Sequence, residues 1–358
     1  MKIAIVVGTR PEIIKMAPVV RACITRGVPY VLLHTGQHYS FELDGVFFRE
    51  LELPAPHHNL EVGSGSQAYQ IGSIVSGMEP LLRRERPDVL LVEGDTNSVL
   101  AAALCAQKSD ITVGHVEAGL RSYDRTMREE INRILTDHLS EYLFAPTTTA
   151  RDILLGEGVA PKRVFVTGNP VVDELERQRA RAERPELFQR FAVEPGRYAV
   201  ATVHRAENTD DPARLRGIFA GLAGSAVALG IPVLAALHPR TTARLESLGI
   251  RVDGPVRALP PLGYLDFLGL HARAALTLTD SGGLQEEACC LRVPCVTLRD
   301  NTERPESVEV GANRLAGAEA ERIIECARAM TARPRDWRNP FGDGKSGLRI
   351  VDLLIGAT

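Results

Sequence analysis

Short apolar runs in this chain repeatedly end on side chains that do chemistry. Val89 to Val92 gives way to Glu93-Gly94-Asp95-Thr96-Asn97, and Thr112 to Val116 to Glu117-Ala118-Gly119-Leu120-Arg121. His204-Arg205-Ala206-Glu207-Asn208 follows Ala199 to Val203, His238-Pro239-Arg240 follows Val233 to Leu237, and Asp280-Ser281-Gly282-Gly283 follows Ala275 to Thr279. Carboxylates and imidazoles hold or move protons near neutral pH, and arginines meet anions. Gly282 and Gly283 lack a Cβ, so a ligand can come close to the backbone where a helix start presents free N–H groups. Phosphate is the natural guest. A single exit of this kind is a cap or a turn. With Gly8-Thr9-Arg10-Pro11-Glu12 and Gly36-Gln37-His38 there are seven, and together they describe two lips of one polar, phosphate-friendly cleft.

Each residue also has an ordinary explanation. Arg10, just before Pro11 at a helix start, either binds phosphate or lies solvated. Lys15 falls one turn further on among Ile13, Ile14 and Ala17, where snorkelling to the surface is the default. Asp95 either caps the helix opening at Asn97-Ser98 or acts chemically. Glu117 is harder to dismiss, because a carboxylate between Val116 and Ala118 at a buried strand end is costly without a partner or a task. Further on, Ile131, Ile134, Leu135 and Leu139 fall at helical spacing and predict a buried face, leaving Glu129, Arg133 and Asp137 aligned on another. That alignment is either a surface ion-pair ladder or a carboxylate held by arginine at the mouth of the cleft. His204 and His238, each near an arginine, favour function as a pair.

The elements that must position these residues follow from the apolar runs themselves. Strands are expected at Ile3 to Val7, Val31 to His34, Val89 to Val92, Thr112 to Val116, Tyr142 to Ala145 and Val164 to Thr167. A second set is expected at Ala199 to Val203, Val233 to Leu237, Ala275 to Thr279 and Cys295 to Leu298, with weaker ones at Arg251-Val252 and Arg314-Leu315. Runs this apolar, alternating with helical stretches, imply parallel strands covered on both faces, a doubly wound α/β fold. Ligands of such sheets bind at the carboxyl ends of the strands, which is where the polar exits lie. Domains are expected at 1–169, 170–339 and 340–358. The seam lies near Gly168-Asn169-Pro170, a charged helical stretch runs from Asp173 to Arg190, and a last helix, Gly347 to Ile355, packs back on the first domain.

Composition bounds the partners. The chain has 358 residues, 44% hydrophobic and 24% charged, enough for two ordinary domains. A net charge of −3 argues against nucleic acid or an anionic membrane. No apolar run reaches the length of a membrane span and the first residues enter a strand directly, so the cytoplasm is expected. The six cysteines lack paired metal-ligand spacing and read as small, reduced core residues. No metal cluster appears. Gly63-Ser64-Gly65-Ser66-Gln67-Ala68 matches the dinucleotide fingerprint in letters but follows no strand, so NAD is not supported, and Gly344-Lys345-Ser346 fails as a P-loop for the same reason. Carboxylates, histidines and phosphate binders without NAD or metal suit a sugar nucleotide, whose diphosphate is a leaving group that Arg10 and the Gly282-Gly283 helix start could stabilise.

Gly8-Thr9-Arg10-Pro11-Glu12-Ile13-Ile14-Lys15, Gly94-Asp95-Thr96-Asn97, His115-Val116-Glu117-Ala118-Gly119-Leu120-Arg121, Glu129-Glu130-Ile131-Asn132-Arg133, His204-Arg205-Ala206-Glu207-Asn208, Asp280 to Glu287 and Thr302-Glu303-Arg304-Pro305-Glu306 occur in order over nearly the whole chain. As a set they resemble the non-hydrolysing UDP-N-acetylglucosamine 2-epimerase family. The resemblance implies two Rossmann-like domains facing a cleft, as in GT-B glycosyltransferases, a homodimer, and no cofactor. It implies interconversion of UDP-N-acetylglucosamine and UDP-N-acetylmannosamine through elimination of UDP to a 2-acetamidoglucal and its re-addition. By position, Asp95, Glu117 and Glu129 match catalytic carboxylates, and His204 a residue near the diphosphate and sugar. Arg10, Lys15, Arg133, Ser281, Gly282, Gly283 and Glu287 match substrate or UDP contacts, with Glu287 on the ribose. Gln37, Gln67 and His238 match positions that bind a second, activating substrate molecule in bacterial members.

The chain departs from the pattern at Arg128, where many relatives have Pro before the Glu-Glu pair, and in the Asp124-Arg125-Thr126-Met127 loop. Two other readings stand beside this one: an epimerase of a UDP-diacetamido uronic acid, which shares several of these motifs, and, from a different class, a GT-B glycosyltransferase, which needs an acceptor pocket.

Overall fold

Five consecutive buried residues, Ile3 to Val7, form β1, and their apolar side chains leave no solvent-facing side to the strand. The computed structural model describes residues 1–37, 41–260 and 262–356, so His38 of the Gly36-Gln37-His38 exit lies outside the described residues. The chain divides into two units, one of Met1–Arg177 with Phe341–Thr358, the other of Gln178–Pro340.

In the first unit the strands are β1 (Ile3–Val7), β2 (Tyr30–His34), β3 (His58–Asn59), β4 (Val89–Glu93), β5 (Thr112–Val116), β6 (Tyr142–Ala145) and β7 (Val164–Val166), in the order β3-β2-β1-β4-β5-β6-β7. In the second they are β8 (Ala199–Thr202), β9 (Val233–Ala236), β10 (Val256–Leu259), β11 (Leu276–Thr279), β12 (Cys295–Thr297) and β13 (Asn313–Leu315), in the order β10-β9-β8-β11-β12-β13. Every described pairing is parallel. Each unit is therefore a doubly wound, Rossmann-like sheet, and each order reverses at one point, between β1 and β4 in the first and between β8 and β11 in the second. A crevice opens at such a reversal, at the carboxyl ends of the strands. Val6, Val31, Leu33, Leu90, Val92 and Val113 join Ile74, Met78 and Val99 of flanking helices in one core; Leu276, Leu278, Val296 and Ala201 join Leu215, Leu222 and Ile323 in the other.

Several local expectations are corrected. Arg251-Val252 is not a strand; the pairing with β9 starts beyond Gly254-Pro255, where Val256 and Leu259 are the residues that bury. The two-residue β3 is polar and half-buried, so it carries no apolar signal. The charged stretch from Asp173 to Arg190 is two helices, Pro170–Ala182 and Pro185–Arg190, because the residue before a proline resists helical geometry. Pro170, expected at the seam, opens the first of these helices, and the division between units falls inside it, after Arg177.

The last helix, Ser346–Gly356, packs on helix Arg10–Arg26, and any Cβ at Gly347 would lie 2.6 Å from the Pro18 carbonyl carbon. Its first amides, Ser346 N and Gly347 N, donate to the Asp173 carboxylate at 3.0 and 2.9 Å. The helix start at Lys345-Ser346 thus already holds an anion from the chain itself. Among the described residues no helix is long and apolar enough to cross a membrane.

Candidate active site

The exits of β1, β4 and β5 surround one ammonium. Lys15 is 6% exposed, not at the surface as its place among apolar neighbours suggested, and its Nζ stands 3.1 Å from Glu93 Oε1 and 2.6 Å from Glu117 Oε1. Helix Arg10–Arg26 packs its inner face onto the sheet, so a long side chain there runs under the strand ends instead of away from them. Glu117 is 4% exposed and has φ of +67°, a left-handed conformation that costs about 1 kcal/mol or more for a residue with a Cβ. Asn169 Nδ2 also donates to Glu117 Oε1, at 2.6 Å, while its own Oδ1 accepts from Val171 N at the start of helix Pro170–Ala182.

Glu12 and Glu93 were visible only as parts of larger stretches. Glu12 accepts hydrogen bonds from Gly8 N, from Thr9 Oγ1 at 3.1 Å and from Thr96 Oγ1 at 2.7 Å, tying the β1 exit to the β4 exit. Burial pushes its pKa up to about 7 against the pull of those donors. Burial also drives Glu93 well above the ordinary carboxylate range; Lys15 opposes this and the Glu117 carboxyl reinforces it.

Asp95 does not cap the helix Asn97–Gln107, whose N-cap position is Thr96. Its Oδ2 pairs with Arg133 Nη2 at 2.5 Å, and its backbone oxygen accepts from Asn132 Nδ2 at 2.9 Å. Arg133 in turn reaches Glu130, which also accepts from Ser122 N, Ser122 Oγ and Tyr123 N, all at 2.9 Å. The face of helix Arg128–Leu139 expected to be buried is the wrong one. Glu130, Asn132, Arg133, Thr136 and Asp137 are buried, whereas Ile131, Ile134 and Leu139 are partly exposed and Leu135 is 46% exposed. The helix turns its charges inward because buried partners wait there. His115, fully buried on β5, sets Nδ1 2.7 Å from Asp137 Oδ1 and donates from Nε2 to Gly94 O at 2.8 Å. Asp137 also meets Arg121 Nη1 at 2.7 Å and Gly119 N at 3.2 Å. Burial alone would raise its pKa, but His115 and Arg121 hold it below the usual range. Glu129 is half-buried in the first turn of this helix, and Arg10 is exposed with its guanidinium 5.2 Å from the Phe47 ring centre.

In the second unit Asp280, at the end of β11, gathers the exit of β8. Its carboxylate accepts from His204 N at 3.1 and 3.0 Å, Arg205 N at 3.0 Å and Asn208 Nδ2 at 3.1 Å, and lies 2.8 Å from His204 Nδ1. Burial pulls the Asp280 pKa up, but the His204 ring and these donors together hold it below the ordinary value. The His204 side chain stays 45% exposed, so its ring is fixed on one edge and open on the other. Next along the chain, Ser281 caps helix Gly282–Leu291, its Oγ accepting from Leu284 N at 3.4 Å. A Cβ on Gly282 would lie 2.6 Å from Glu303 Oε1, whereas one on Gly283 would meet nothing nearer than Ser281 Oγ at 3.9 Å. Among the described residues, the Gly283 side of the helix start is therefore open. Glu287, one turn on and 9% exposed, has Oε2 3.7 Å from His271 Nδ1.

Of the three positions matched to a second ligand site, Gln37 is buried and accepts from Ser98 N at 3.0 Å and Ser98 Oγ at 2.6 Å. Gln67 is exposed at the start of helix Gln67–Glu85, and His238 is exposed and accepts from Arg240 N at 3.2 Å. Asn169, Glu130 and Asp280 are the partners that sequence reasoning left without a role. An Asn before Pro reads as a turn, and only the fold brings it to Glu117. Among the described residues no group of three His, Cys, Asp or Glu side chains is placed to hold a metal ion.

Residues 22–355 match the family described as UDP-N-acetylglucosamine 2-epimerase. The UDP-N-acetylglucosamine 2-epimerase of Methanocaldococcus jannaschii is 48% identical over 361 residues, 99% of each chain. The UDP-2,3-diacetamido-2,3-dideoxy-D-glucuronate 2-epimerase of Pseudomonas aeruginosa is 40% identical over 358 residues, again 99% of each. Among solved structures, that of the Methanocaldococcus jannaschii UDP-GlcNAc 2-epimerase in complex with UDP-GlcNAc and UDP has a TM-score of 0.95 at 48% identity, covering 99% of this chain and 100% of that one. The UDP-GlcNAc 2-epimerase of Neisseria meningitidis bound to UDP-GlcNAc has a TM-score of 0.90 at 32% identity, covering 99% and 100%.

Proposed function

The chain belongs to the UDP-N-acetylglucosamine 2-epimerase family, and from that premise we propose that it interconverts UDP-N-acetylglucosamine and UDP-N-acetylmannosamine. In the proposed reaction the C1–O bond to UDP breaks and C2 loses its proton, giving UDP and 2-acetamidoglucal. UDP then returns to C1 while a proton is delivered to the other face of C2. The order follows from acidity. No carbonyl neighbours C2–H, so a carboxylate cannot remove that proton until C1–O cleavage has made the ring oxocarbenium-like.

Stabilising the departing UDP is then the larger part of catalysis. His204, Ser281, Gly282 and Gly283 take the diphosphate, Glu287 the ribose, and Arg10 and Arg133 further contacts to substrate. Asp95, Glu117 and Glu129 handle the C2 proton and the positive charge on the sugar. Lys15 acts through Glu93 and Glu117, whose carboxylates it touches. The observation that carries the reading is the buried set of carboxylates at the β4 and β5 exits, costly to bury and placed where its sheet reverses.

The test is incubation with UDP-N-acetylglucosamine in D2O, followed by NMR. UDP-N-acetylmannosamine bearing deuterium at C2 is the expected product. An unlabelled substrate, with exchange in the UDP-diacetamido uronic acid instead, transfers the assignment to that sugar; free N-acetylmannosamine as the main product makes the enzyme hydrolytic. Two copies are proposed to assemble, with Leu135 and its neighbours Ile131 and Ile134 as the apolar surface that pairing would cover. Light scattering on the wild type and Leu135→Asp decides this: a wild-type monomer ends the idea.

A further inference from the structure

The buried carboxylates around Lys15 outnumber it. Glu12, Glu93 and Glu117 are 2%, 1% and 4% exposed, and Lys15 is the ammonium that Glu93 and Glu117 share. Both groups stand on the one ammonium, at 3.1 and 2.6 Å from Lys15 Nζ, and the Glu117 carboxyl acts on Glu93 to raise its pKa. Two carboxylates so close and so far from water resist ionising together, which favours one proton held between them.

Their donors decide where it sits. Glu117 Oε1 accepts from Lys15 Nζ and from Asn169 Nδ2, both at 2.6 Å. Glu93 Oε1 lies farther from Lys15 Nζ, at 3.1 Å, and accepts no hydrogen bond from the described residues. Charge-assisted donors stabilise the ionised form of the group they meet, so the negative charge goes to Glu117 and the proton to Glu93.

We propose that Glu93 is a positioning residue, its carboxyl O–H donating to Glu117 so that Glu117 stays ionised and oriented for proton transfer. The proposal rests on the role given to Glu117 above. The charged groups facing Glu93 are Lys15 and Glu12 from helix Arg10–Arg26 and Glu117 beyond β5. Burial and the two other carboxylates favour its neutral form, and Lys15 alone opposes it. As pH rises far enough to ionise Glu93, Glu117 loses a donor and gains a repelling neighbour, so turnover falls on the alkaline side.

Profiles of kcat and KM against pH for wild type, Glu93→Gln and Glu93→Ala test this with UDP-N-acetylglucosamine. The Gln amide donates at every pH, so Glu93→Gln should lose the alkaline fall. Glu93→Ala should lose about ten- to a hundredfold in kcat throughout, with KM little changed. An alkaline limb unchanged in Glu93→Gln, or an Ala variant as fast as the Gln variant, overturns the proposal. Infrared difference spectra of the protein without substrate give a second readout. At neutral pH a protonated carboxyl band should vanish in Glu93→Gln; a band that persists there and vanishes in Glu117→Gln puts the proton on Glu117 and overturns it. Because the spectra need no turnover, inactivity toward UDP-N-acetylglucosamine would count against the proposed reaction and leave the proton assignment to be judged by the band.

Discussion

Lys15 Nζ and Glu117 Oε1 meet at 2.6 Å although 102 positions separate them. They meet because β1 pairs with β4 and β4 with β5, which brings the helix after β1 and the turn after β5 to the same end of one sheet. With side chains only 8% and 3% exposed, neither charge has water to fall back on.

Lys15→Met should therefore destabilise the fold, since removing one partner of a buried pair strands the other and costs about 3–5 kcal/mol. Urea unfolding of the variant beside wild type measures this. A midpoint within error of wild type would mean that the carboxylates find protons or water at no cost.

Asp95→Asn, Glu117→Gln and Glu129→Gln should each lower turnover by about two to four orders of magnitude, the usual scale of general acid–base catalysis. UDP affinity, measured by titration calorimetry, should change little, because the residues assigned to the diphosphate and ribose lie in the other unit. Near-normal turnover in any variant removes that residue from the catalytic set.

Glu12 predicts a pH dependence of stability. Its pKa rises from 4.5 to about 7 on folding, so between these values the folded protein holds a proton that the unfolded chain has released. This contribution is fully present below pH 4.5, declines by about 3 kcal/mol as pH rises to about 7, and is flat above it. Subtracting the unfolding free energies of Glu12→Gln from those of wild type at pH 5 and pH 8 isolates the term. A difference that does not change with pH contradicts it.

Gly282→Ala and Gly283→Ala should behave differently. The first drives a methyl group to 2.6 Å from Glu303 Oε1 and should cost about 1–3 kcal/mol of stability. The second has room, so its melting temperature should match wild type, while its UDP affinity falls because the methyl stands on the open side of the helix start. Unchanged UDP affinity in Gly283→Ala would take that face out of the phosphate site.

The sequence alone determined the alternation of strands and helices, because parallel strands buried on both faces are predominantly apolar, as β1 is throughout and β4 is from Val89 to Val92. It also marked where chemistry gathers, since a polar residue that ends an apolar run is conspicuous. What it misjudged were residues whose surroundings come from distant segments. Helical spacing put Ile131, Ile134 and Leu135 inside helix Arg128–Leu139, yet Arg133 and Asp137 bury instead because Asp95, His115 and Arg121 stand ready to pair with them. Lys15 reads as a surface lysine until β4 and β5 deliver Glu93 and Glu117 to it. Periodicity reports the transfer of side chains from water to an apolar interior. Only the tertiary structure brings opposite charges into contact, and there their mutual stabilisation outweighs the pattern.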